Sequence, residues 1–127
     1  MRDRMLGLRT VIHPVADLAA AREWWIGFLG VQPSFDAPFY VGFDVAGDEL
    51  GLLPGADPSD GAHVYWGVAD VGAAVDEAVT RGAVVHTAPQ DVGEGIITAS
   101  VRLPDGSITG FIRNPNVDRF PPVGLDG

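Results

Sequence analysis

The sequence of 127 residues contains no cysteine. A disulfide framework, a thiolate zinc site and a cysteine nucleophile are therefore excluded. Lysine is missing as well, so all eight basic residues are arginine, against 17 acidic ones, and the formal charge is −9. A nucleic-acid binder needs a basic face, so this acidic balance disfavours that class. An anionic membrane surface would repel it. No apolar run approaches the roughly 20 residues that span a bilayer. Residues 1–8 carry charges but no apolar segment of the signal-peptide kind, so a cytoplasmic location is expected. There is no G-x-S-x-G elbow and no H-E-x-x-H pair. What remains is an acidic globular chain, 46% hydrophobic, of a length that suits one domain or two small units sharing a core.

The strongest feature present is an internal repeat. Val15-Ala16-Asp17-Leu18-Ala19-Ala20-Ala21 recurs as Val68-Ala69-Asp70-Val71-Gly72-Ala73-Ala74. Each copy follows a short apolar run, Arg9 to Val15 and His63 to Val68, and leads into a helical pattern that stops at Gly30 or Gly82. Asp17 and Asp70 are suited to cap their helices, because a carboxylate at that position accepts from an otherwise unpaired amide. Leu18, Ala21, Trp25, Phe28 and Leu29 form the expected apolar stripe of the first helix, and Val71, Ala74, Val75 and Ala78 that of the second. Phe39 to Val45, Glu49 to Leu53, Ile96 to Leu103 and Ser107 to Ile112 read as strands, with turns at Ala46-Gly47-Asp48 and Pro104-Asp105-Gly106.

Each half thus reads β-α-β-β-β. One half is too small to bury its own sheet. The expected fold is α+β: a single domain over residues 1–127, built of two βαβββ modules with pseudo-twofold symmetry that form a cupped mixed sheet with the helices outside. Module one covers about 8–54, a linker 55–62, module two about 63–114 and a tail 115–127.

This pattern resembles the vicinal oxygen chelate superfamily, which includes glyoxalase I, extradiol dioxygenases, and the fosfomycin- and bleomycin-resistance proteins. The residues that carry the resemblance are Val15-Ala16-Asp17, Gly30-Val31, Val68-Ala69-Asp70, Arg81-Gly82-Ala83 and Leu103-Pro104-Asp105-Gly106. Catalytic members hold a divalent metal in the cup, where it acts as a Lewis acid on paired substrate oxygens. The resemblance implies ligands on the first strand of each module, seven residues before the turn Asp, and on the last strand, four residues after the turn Gly. In this sequence those positions are Thr10, His63, Gly51 and Gly110. One imidazole, one hydroxyl and two glycines fall short of the three protein ligands of a catalytic zinc site, and of the oxygens of a carboxylate-supported magnesium site. The expectation is no metal and no other cofactor.

Several side chains remain candidates for chemistry. His63 and Tyr65 share the inward parity of their strand, and Glu49 shares the face of Gly51. Glu49 as base, His63 as polar anchor and Tyr65 as acid are the catalytic candidates. Thr10, Phe39, Tyr40, Phe43, Glu49, His63, Tyr65 and Asp91 are the candidate ligand-binding residues, with Asp91 in an acidic loop, 90–95, that could fold over a ligand. Each has a plainer reading: core for the aromatic residues, a solvated face for Glu49, a hairpin loop for Asp91. His13 has the opposite parity to Thr10 and is expected in the helix layer, and His86 at the surface. Aromatic walls and the negative charge favour an aromatic or cationic guest. The sequence therefore points to a glyoxalase- and bleomycin-resistance-like protein that binds a small organic molecule without a metal. The alternative is a glyoxalase-type lyase or isomerase, metal-dependent or using Glu49 as base. A homodimer is expected, with no nucleic-acid or membrane partner.

Overall fold

A computed structural model describes residues 5–55 and 57–115. The expected α+β class holds: β1 (Met5–Val15), α1 (Leu18–Leu29), β2 (Phe35–Ala37), β3 (Tyr40–Val45) and β4 (Asp48–Pro54) are followed by β5 (His63–Val68), α2 (Val71–Thr80), β6 (Val84–Asp91), β7 (Ile97–Arg102) and β8 (Ile108–Arg113). The order βαβββ occurs twice. The chain divides into two compact units, Thr10–His63, and Met1–Arg9 with Val64–Gly127. The first strand begins four residues earlier than the apolar run suggests, and its opening residues, up to Arg9, belong to the second unit. Residues 116–127 of the expected tail lie outside the described residues.

In the Thr10–His63 unit, β1 runs parallel to β4, and β3 pairs antiparallel with both β4 and β2. The Asp17 carboxylate accepts from the Ala20 amide at 3.0 Å and starts α1. Gly30 ends it in the left-handed conformation, φ 73°, its amide donating to the Ile26 carbonyl. Val41, Phe43 and Leu52 are buried beneath Leu18, Ala21, Trp25, Ile26 and Leu29. Removing such a side chain from water contributes about 1.5–3 kcal/mol each. Phe28, expected in the stripe, is 70% exposed. At about 100° per residue it falls roughly 80–100° from the centre of the stripe, and it stacks on Trp24 instead, ring centroids 5.0 Å apart.

In the second unit, β5 runs parallel to β8, with β7 and then β6 added antiparallel. The Asp70 carboxylate caps α2 through the Ala73 amide at 2.9 Å. Val68, Val71, Ala74, Val75, Ala99, Val101 and Phe111 make this unit's core. The expected flexible loop is shorter than the sequence suggests. Gln90 and Asp91 are still in β6, paired with Thr98 and Ile97, and a tight turn closed by the Val92 amide on the Ile96 carbonyl at 2.9 Å completes the hairpin. Among the described residues no helix is long and apolar enough to cross a membrane.

Candidate functional site

Strand alternation decides which side chains can act together in the Thr10–His63 unit. On β3 and β4 the register sets Gly42 opposite Gly51, and on β1 Thr10 stands beside Glu49 and Ile12 beside Gly51. Val41, Phe43, Leu50 and Leu52 point to the α1 side. Tyr40, Gly42, Glu49, Gly51 and Thr10 therefore share the opposite face. Two glycines facing each other leave a slot on that face, and the Tyr40 ring lies in it. A Cβ on Gly51 would come within 1.9 Å of the Tyr40 hydroxyl, and one on Gly42 within 3.0 Å of Glu49 Oε2. Held across the slot, the Tyr40 hydroxyl donates to Glu49 Oε1 at 2.8 Å. This hydrogen bond joins residues nine apart in sequence and fixes the half-buried carboxylate.

Phe35 sits opposite Gly42 on β2, so it belongs to the same face. Its ring is 6.1 Å from that of Tyr40 and 6.0 Å from that of Phe39, which is 65% exposed in the β2–β3 turn. β2 is tied to α1 by Arg22, whose guanidinium donates to both Asp36 oxygens, the shortest at 2.6 Å. The hydrogen bonds from Arg22 hold the Asp36 carboxyl below the usual carboxylate range. Phe35 was not among the residues singled out from the sequence. Its parity with Tyr40 across a two-residue turn was the signal that could have found it. His63 closes this same unit, with Nε2 buried.

Phe43 corrects the sequence reading. It was expected to line the site, but it is fully buried on the α1 side because it is three positions from Tyr40 and so of opposite parity. His13 packs on the Trp25 ring, centroids 5.6 Å apart, in the helix layer as its parity implied.

The second unit has its own glycine seat. Tyr65 pairs with Gly110 in the β5–β8 ladder, and a Cβ on Gly110 would meet the Tyr65 ring at 2.4 Å. Burial pushes the Tyr65 phenol above its ordinary pKa. Arg9, missed in the sequence, is buried with its aliphatic stem against Gly67, on the same strand as Tyr65. Asp91 is exposed and accepts from the Gly93 amide at 2.7 Å, so its carboxylate closes its own turn.

The two last-strand positions that the resemblance assigned to metal ligands, Gly51 and Gly110, are thus both roofed by a tyrosine ring. A carboxylate side chain there would collide with the ring. Among the described residues no three His, Asp or Glu side chains come together in a group that could hold a metal ion.

These features define a two-module member of a family with known relatives. Residues 7–109 match the model of the Glyoxalase/Bleomycin resistance protein/Dioxygenase superfamily, and the chain belongs to that superfamily. No curated protein matches the sequence. Among solved structures, methylmalonyl-CoA epimerase of Streptomyces coelicolor, in complex with 2-nitronate-propionyl-CoA, is similar at a TM-score of 0.70 and 16% identity, over 87% of this chain and 99% of that one. A glyoxalase/bleomycin resistance protein/dioxygenase superfamily member from Vibrio splendidus matches at 0.63 and 17% identity, over 84% and 99%. A Legionella pneumophila protein titled NAD-dependent benzaldehyde dehydrogenase matches at 0.65 and 18% identity, over 82% and 96%. At such identities the likeness is one of fold, and one fold carries many activities.

Proposed function

We propose that this chain binds a small organic cation, without a metal ion, on the face of the Thr10–His63 unit that carries Tyr40 and Glu49. The observation that carries the reading is the Tyr40–Glu49 hydrogen bond over Gly51. It fixes a half-buried carboxylate beside an aromatic wall of Tyr40, Phe35 and Phe39. A ring face attracts a cation by about 0.5–2 kcal/mol, and a nearby carboxylate adds its charge. The net charge of −9 steers cations toward the chain. The tyrosine roofs over Gly51 and Gly110 support binding without a metal. The test compares benzyltrimethylammonium with its uncharged isostere neopentylbenzene by thermal shift. Stabilisation by the charged compound alone supports the reading, and equal stabilisation by both overturns it.

A second reading keeps an enzyme. Its base is Glu49; the hydrogen bond from Tyr40, the neighbouring Thr10 and a fold shared with an epimerase support this reading. In this reading a lyase or isomerase of glyoxalase type loses turnover in Glu49→Gln while keeping its fold. A fully active Glu49→Gln protein would remove it. The working unit in either reading is a cytoplasmic homodimer, which the exposed Trp24–Phe28 stack on α1 supports as a contact surface.

A further inference from the structure

The second unit carries an open cleft on its α2 side, the face away from the Tyr65–Gly110 pair. Its volume is about 480 Å³. Ligand pockets run from about 300 to 1,000 Å³. The cavity arises from short side chains. Ala74 and Ala78 of α2 and Ala83 beyond it present only short side chains to the cleft, and the left-handed turn at Gly82, φ 100°, carries the chain from α2 to Ala83. Leu103, Phe111 and Met5 form the rest of the apolar wall. Ala74, Ala83 and Phe111 are members of the buried core, so the cavity reaches down to the core of its unit.

Glu77, Arg81 and Asp105 also line the cleft, and they already have partners. Arg81 Nε donates to Glu77 Oε2 at 2.8 Å, and the Asp105 carboxylate accepts from the Ser107 amide and hydroxyl. With these charged groups already engaged, the surface left to a ligand is mainly the apolar one, and an unmatched ligand charge against it would be disfavoured. We infer that this cavity is a second small-molecule site, for an uncharged, largely apolar compound of one or two rings with at most one hydrogen-bonding group at the mouth. It differs in chemistry from the Tyr40–Glu49 face, which presents a carboxylate.

Indole is the probe. Titrated into the isotope-labelled full chain and followed by amide chemical shifts, it is expected to give saturable changes at Ala74, Ala78, Arg81, Ala83 and Leu103. Ala78→Phe puts a ring into the space and is expected to weaken binding by about tenfold or more, about the loss of one well-packed contact. Ala78→Met, a milder filling, keeps the test valid if the phenylalanine variant does not fold, and is expected to weaken indole several-fold. Absence of saturable shifts at these residues overturns the inference. So does indole binding that both filling variants leave unchanged.

Discussion

The Tyr40 hydroxyl donates to Glu49 Oε1 at 2.8 Å across a slot made by two glycines, Gly42 and Gly51, that face each other in the β3–β4 ladder. Neither glycine is there for a turn. Each is a strand residue whose missing side chain makes room, at Gly51 for the Tyr40 ring and at Gly42 for the Glu49 carboxylate. Four residues of two strands thereby act as one element: the glycines seat the pair, and the tyrosine aims the carboxylate.

Removing the hydroxyl tests the bond alone. Tyr40→Phe keeps the ring in the slot and leaves Glu49 without this donor. Hydrogen bonds to charged groups contribute about 1.5–3 kcal/mol, and a half-buried one belongs at the lower end. Chemical denaturation is expected to show a loss of about 1.5 kcal/mol with an unchanged denaturant slope. Cation affinity is expected to fall without vanishing, because the ring face remains.

The two glycine seats should differ in tolerance. Gly51→Ala meets the far end of Tyr40, its hydroxyl, at 1.9 Å, and that end can swing aside at the expense of the Glu49 bond. Gly110→Ala meets Tyr65 at the ring edge, 2.4 Å away, in a buried setting. Overpacking of this kind costs about 1–3 kcal/mol. Thermal unfolding is expected to place Gly110→Ala at the upper end and Gly51→Ala at the lower, with cation binding impaired in Gly51→Ala.

Much of this arrangement follows from the sequence, and the reasons for the remainder are physical. Asp17, Asp70, Gly30 and the repeat around them mark local chemistry, caps and helix ends, and all of them are where their residue types require. Tyr40 and Glu49 were both candidates, but their pairing depends on the β3–β4 register, and a shift of one residue would separate them. Phe43 was misplaced for the same reason: a strand's absolute parity is set by which face meets α1, and the aromatic character of the segment does not encode it. Phe28 was misplaced because the helix stripe is bounded by an angle, and a large apolar residue at its edge counts the same in a spacing pattern as one at its centre. Phe35 was overlooked because a three-residue strand carries almost no periodic signal. The cavity beside α2 had no signal at all, since alanines in a helix read as good helix formers whether or not they leave space.

Alkaline pH should act through Tyr65. Its folded pKa is raised above the ordinary value of 10.0 by burial. As pH rises past 10 the unfolded chain loses this proton while the folded chain keeps it, so stability present below pH 10 declines until the raised value is reached. Tyr65→Phe is expected to flatten the alkaline limb of a stability–pH curve. An unchanged limb would show that another group dominates it.

Acid should loosen β2. The Asp36 carboxyl is held below its ordinary 3.8 by Arg22. Its contribution is present above that value and is lost as pH falls through the lowered one. The pair is exposed, so added salt should weaken it as well. The protection of the Phe35–Ala37 amides against exchange, each referred to the intrinsic rate at its own pH, is expected to fall in Arg22→Gln at neutral pH toward the wild-type protection seen in acid.

The exposed Trp24–Phe28 stack gives a prediction for assembly. Trp24→Glu adds a charge to an apolar contact surface and is expected to convert a dimer to monomer by light scattering, with helicity unchanged. A wild-type monomer would contradict the homodimer reading.

The measurement that bears most directly on the central claim is calorimetric titration of benzyltrimethylammonium into protein stripped of metal by a chelator. The account predicts saturable binding near one equivalent per chain, unaffected by adding magnesium, manganese, nickel or zinc, and lost in Glu49→Gln. Binding that appears only when a divalent metal is restored, or that survives Glu49→Gln intact, would contradict it.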